Sequence, residues 1–121
     1  MPTNTFFLED SYNSDIGLHI NLGVLKRIYT DNISSTDELN VNFAFITDSR
    51  SKADRFSIIL KSKFPTYQDI QVGPYDELYE ITGITEKIKM HISDINEWNK
   101  IMWAFGYAYD CKLDGWFVEG G

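Results

Sequence analysis

A chain of 121 residues that is 43% hydrophobic and 15% aromatic has enough apolar surface to close one core and too much to stay disordered. Its 11 Lys and Arg against 18 Asp and Glu give a formal net charge of -7, which repels phosphate backbones and anionic lipid and favours a basic protein as partner. The single cysteine, Cys111, excludes an internal disulfide, no apolar run approaches bilayer length, and Phe6-Phe7-Leu8 is broken at once by Glu9 and Asp10 with no basic region before it, so neither a membrane span nor a signal peptide is expected and the cytoplasm is the default compartment.

Residues 15–29 place Leu18, Leu22, Leu25 and Tyr29 at helical spacing, with Ser14 or Asp15 as cap and Lys26 and Arg27 near the C-terminal end. Gly17 and Gly23 weaken that helix. The stretch from Asp31 to Glu38 has loop composition. From Leu39 to Thr47 the residues Leu39, Val41, Phe43 and Phe45 alternate with Asn40, Asn42 and Ala44, the period of a half-buried strand. A helix follows from Arg50 to Phe64, with Ala53, Phe56, Ile59, Leu60 and Phe64 on one stripe and Pro65 as its stop.

Tyr67 to Val72 predicts a second strand, and Gly73-Pro74-Tyr75-Asp76 a turn into a third that starts near Leu78. In the third strand Tyr79 and Ile81 share one phase while Ile84, Ile88 and Met90 share the other, which predicts a bulge at or beside Gly83. Ser93-Asp94 opens the next helix, lined by Ile95, Trp98, Met102 and Phe105, with Gly106 at its C-terminal cap. Tyr107 to Val118 completes the pattern as a fourth strand.

The order after residue 38 is β-α-β-β-α-β. Right-handed crossovers then give a ferredoxin-like α+β sandwich, a four-stranded antiparallel sheet with two helices on one face. Residues 1–38 form an N-terminal helical arm and loop, expected over the open face or a sheet edge, and residues 39–121 form the domain itself, the whole folding as one unit.

Trp98, Met102, Gly106, Tyr109-Asp110-Cys111 and Leu113-Asp114-Gly115-Trp116 resemble the RraB family, the regulators of ribonuclease E. The resemblance covers about residues 39–118, including Thr82-Gly83-Ile84-Thr85. It implies a ferredoxin-like, non-enzymatic domain that inhibits by binding a nuclease. Phe117 stands where the family usually shows a second glycine, and the long acidic tail of its best-known member is not found here. Ribonuclease E and another protein therefore both stay open as targets.

Candidate chemistry is sparse. Asp110 and Asp114 on one extended strand would stand roughly 13 Å apart, too far for a carboxylate pair, and with Lys112 they read as a solvated face. Cys111 falls in the buried phase, without a histidine spaced as its base. His19 and His91 form no cluster, so neither metal nor cofactor is expected. Trp116 shares the Asp110 phase under strict alternation, as a partner anchor, unless Gly115 introduces a bulge that buries it. Trp103 sits off the apolar stripe, against solvent or another layer.

These features predict a non-enzymatic protein-binding regulator or inhibitor with no cofactor, its partner contacts at Asp110, Asp114, Trp116 and Trp103. An immunity protein that neutralises a toxin is a close variant. An RNA-binding module would instead use the helix bearing Arg50, Arg55, Lys61 and Lys63, against the net charge and without the glycine-and-aromatic signature of such modules.

Overall fold

The computed structural model describes residues 4–119; the outer ends of the two expected segments, residues 1–3 and 120–121, lie outside it. Eight elements follow in order: α1 (Glu9–Ser14), α2 (His19–Tyr29), β1 (Glu38–Thr47), α3 (Arg50–Lys63), β2 (Gln68–Tyr75), β3 (Leu78–Lys89), α4 (Ile92–Tyr107) and β4 (Lys112–Phe117). All strand pairs are antiparallel, in the order β2-β3-β1-β4. This is the ferredoxin-like α+β arrangement that the element order predicts.

The alternation in β1 decides which face is covered. Val41, Phe43, Phe45 and Thr47 are buried, while Asn42, Ala44 and Ile46 between them are half-buried. Phe45 meets Phe56 of α3 at 4.8 Å between ring centroids, and Phe43 meets Trp98 of α4 at 6.4 Å. Both helices therefore lie on one face, as large rings bury most area where two layers interdigitate. Ala53, Phe56 and Leu60 of α3 and Ile95, Trp98 and Met102 of α4 complete that core.

Gly83 and Gly106 are required by this packing. A Cβ on Gly83 would stand 2.6 Å from Cζ of Phe43, and one on Gly106 would run into the Cys111 carbonyl and lie 2.9 Å from Phe45. Gly106 is thus a close-approach residue inside α4; the helix end expected there comes later, at Ala108.

Several boundaries differ from the sequence reading. The arm is two helices, because Gly17 sits at φ 62° between them. The buried positions of α2 are Asn21, Leu25 and Ile28, whereas Leu22 is exposed, so its inward stripe is rotated from the expected one. Strand β2 runs through Gly73 and Pro74, and the reversal falls at Asp76-Glu77. Pro74 is tolerated because β2 is an edge strand, where a missing N–H costs no ladder bond.

The bulge of β3 is at Thr85-Glu86, between the pairs Asn40–Lys87 and Asn42–Ile84, rather than at Gly83. There Thr85 Oγ1 accepts the Val41 N–H at 3.0 Å, replacing a lost ladder bond. A second bulge, on β2 at Asp69-Ile70, lies opposite Gly83 and turns Ile70 into the core. The fourth strand starts at Lys112, not Tyr107: α4 continues to Tyr107, and the chain turns through Asp110 at φ 58°. The apparent alternation of Tyr109, Cys111 and Leu113 crosses that turn.

The arm packs in the helical layer beside α4 and above the edge strand β4. Asn21 Nδ2 donates to Asn96 Oδ1 at 2.9 Å and Asn99 Oδ1 at 3.0 Å, while its Oδ1 accepts the Trp116 indole N–H at 2.9 Å. Leu25 and Ile28 join the common core. No helix of the described residues covers the opposite face of the sheet.

Candidate functional site

Two of the four expected contact residues are engaged internally. Asp110 is 5% exposed, and its carboxylate accepts the backbone N–H of Phe7 at 2.6 Å, of Thr5 at 2.9 Å and of Phe6 at 3.2 Å, together with Lys52 Nζ at 2.6 Å. Burial raises this carboxyl, but the Lys52 ammonium and the three N–H groups outweigh it and hold Asp110 below its ordinary value of 3.8. Burial likewise opposes the charge on Lys52, yet its bonds to Asp110 and Asp48 leave it raised. Asp110 is the clamp of the N-terminal segment.

The clamped segment explains Trp103. Phe7 is fully buried, with its ring 4.6 Å from Trp103 and 5.2 Å from Tyr107, and Tyr12 stacks on Tyr107 at 4.1 Å. The Trp103 indole donates to the Tyr12 carbonyl at 2.9 Å, leaving the residue 5% exposed. The layer that covers Trp103 is therefore residues 4–14. The sequence reading missed Phe7 as a core residue; its only signal was a ring pair in an otherwise polar N-terminus.

Trp116 and Asp114 sit at a bulge. Ala44 pairs with Gly115 and Phe45 with Leu113, so Asp114 is the extra residue of β4. The shift brings both Leu113 and Trp116 to the helix side, opposite the inward-facing Phe45 and Phe43, which is the alternative in which a bulge buries the indole. Trp116 ends half-buried, and Asp114 is exposed at the rim of the bare face.

That bare face forms a trough of about 500 Å³. Ala44, Ile84, Gly115 and Phe117 supply the apolar part of its floor, Asn42, Gln71 and Thr82 the polar part, and Asp69, Glu80 and Asp114 are the charged residues of its lining, with no Lys, Arg or His among them. Phe117 is 56% exposed. Lys112, at the same edge, has its ammonium 5.9 Å from the ring centroids of Phe7 and Trp103, on the helix side. The aromatic rings of the central strand, Phe43 and Phe45, also face the helices.

Little else could carry chemistry. Burial pushes the Cys111 thiol up to about 12, which removes it as a thiolate nucleophile near neutral pH. His91 caps α4 by accepting the Ser93 N–H. Among the described residues no three His, Cys, Asp or Glu side chains are grouped to hold a metal ion, and no helix is long and apolar enough to cross a membrane. On α3, Arg50 pairs with Asp54 at 3.8 Å and Arg55 lies 5.9 Å from the Tyr109 ring centroid.

The class so defined is a ferredoxin-like α+β domain whose polar groups fix the fold and whose sheet presents one bare, acid-rimmed face. Within that class the chain belongs to the RraB family, regulator of ribonuclease activity B, matched over residues 19–118. The match includes α2 and the whole sheet. No curated protein matches the chain.

Proposed function

We propose that this chain is a non-enzymatic regulator that binds a ribonuclease, with ribonuclease E as the first target, and inhibits it through the bare face of the sheet. The family supports regulation of a ribonuclease. The observation that carries the surface is that the four helices of the described residues lie away from a trough whose floor is partly apolar, since a face left without its own cover is where a partner buries area. Asp114 lies on this surface and Trp116 borders it. Asp110 and Trp103 lie on the helix side, where they hold the N-terminal segment.

RNA fits this face less well. Modules that read RNA on such a sheet stack bases on rings of the central strands, whereas here Phe43 and Phe45 face the helices and the trough carries carboxylates. A cytoplasmic site of action follows from the proposed target.

The test is purified chain added to ribonuclease E during cleavage of a short RNA substrate. Dose-dependent inhibition, with a stoichiometric protein complex on size-exclusion chromatography, is the expected result. Unchanged cleavage and no complex would remove ribonuclease E as the target.

A further inference from the structure

We infer that the trough takes a partner segment bearing arginine or lysine side chains around an apolar one, an inference that rests on the protein-binding reading above. Asp69, Glu80 and Asp114 all line it. Among the described residues none of the three carboxylates forms an ion pair or a side-chain hydrogen bond. By contrast Asp110 and Asp48, on the other side of the sheet, are both satisfied by Lys52. Lys112, on the edge strand beside the trough, is directed to the rings of Phe7 and Trp103.

Three carboxylates without a protein partner among the described residues, around Ala44, Ile84 and Phe117, define the occupant by charge. Nucleic acid would bring phosphates against them, and a second copy of this face would bring three more carboxylates. A cationic segment with one apolar side chain meets both the rim and the floor. Single exposed ion pairs contribute little, but three within one covered surface act together on encounter rate and register, and their effect falls with ionic strength.

Two measurements decide it. In calorimetric titration with ribonuclease E, the Asp69→Asn/Glu80→Lys/Asp114→Lys variant is expected to bind at least about tenfold more weakly than the parent chain and with a flatter salt dependence. A charge-matched control, Asp76→Asn/Asp31→Lys/Glu97→Lys, alters acids outside the trough and should bind as the parent does. Equal weakening in both variants would reduce the effect to overall charge and overturn the inference while leaving the regulator reading intact.

The second measurement needs no nuclease. A synthetic peptide of alternating Arg and Leu, added to the 15N-labelled chain, should shift the amides of Ala44, Thr82, Ile84 and Gly115, while the same peptide with Glu for Arg should not. Shifts confined to α2 or α3, or the same amides answering to an RNA oligonucleotide instead, would overturn it. Absence of any complex with ribonuclease E, alongside a positive peptide result, would count against the proposed target and not against the trough.

Discussion

Asp110 joins three parts of the chain through one buried carboxylate: the N-terminal backbone at residues 5–7, Lys52 of α3 and the α4–β4 turn. Asp110→Ala orphans those N–H groups and should lower stability by about 2–3 kcal/mol, less than a fully buried pair because Lys52 stays partly solvated and keeps Asp48. The folded carboxyl lies below its ordinary value of 3.8, so its stabilising contribution is full above that value and is lost as pH falls through the folded value. The melting-temperature gap between parent and Asp110→Ala should hold from neutral pH to about pH 5 and close in stronger acid; a gap that widened in acid would contradict the clamp. At Gly83 the Phe43 ring leaves no room for a methyl group, so Gly83→Ala should cost about 1–3 kcal/mol. Gly115→Ala, with nothing within 4 Å of its Cβ position, should melt close to the parent.

At the scale of elements, α2 is fixed as much by polarity as by apolar contact. Asn21 satisfies Asn96, Asn99 and Trp116 at once, and Asn21→Ala should destabilise the fold by about 1–3 kcal/mol. Thermal melting followed by tryptophan fluorescence would show it; a melting point equal to the parent's would deny that the network holds α2 in place. Such a network explains why the inward stripe of α2 was not legible: period 3.6 marked Leu18 and Leu22, but the buried position belongs to Asn21. The strand and helix periods of β1, α3 and α4 were legible because one apolar face repeats over several turns or pleats. The phase change in β3 announced a bulge, but its position depends on Thr85 Oγ1 replacing a ladder bond, and that is a tertiary fact. Tyr109, Cys111 and Leu113 alternate by coincidence across a turn held by the left-handed Asp110. The burial of Trp103 depends on residues more than ninety positions away, beyond any local pattern.

For the whole molecule, the helices and the arm share one side of the sheet, and Asp69, Glu80 and Asp114 line the other. Composition made the acidic balance plain, and the element order gave the two-layer arrangement, but neither told which acids fold inward; Asp110 does and Asp114 does not. In the proposed function a ribonuclease is gripped through the bare face. Methyl NMR of the isoleucine-labelled chain, titrated with ribonuclease E, reads that contact residue by residue. Ile84 in the trough should shift or broaden at stoichiometric ratio while the exposed Ile58 of α3 and Ile20 of α2 stay unchanged. Perturbation of Ile58 or Ile20 with an unmoved Ile84 would contradict it.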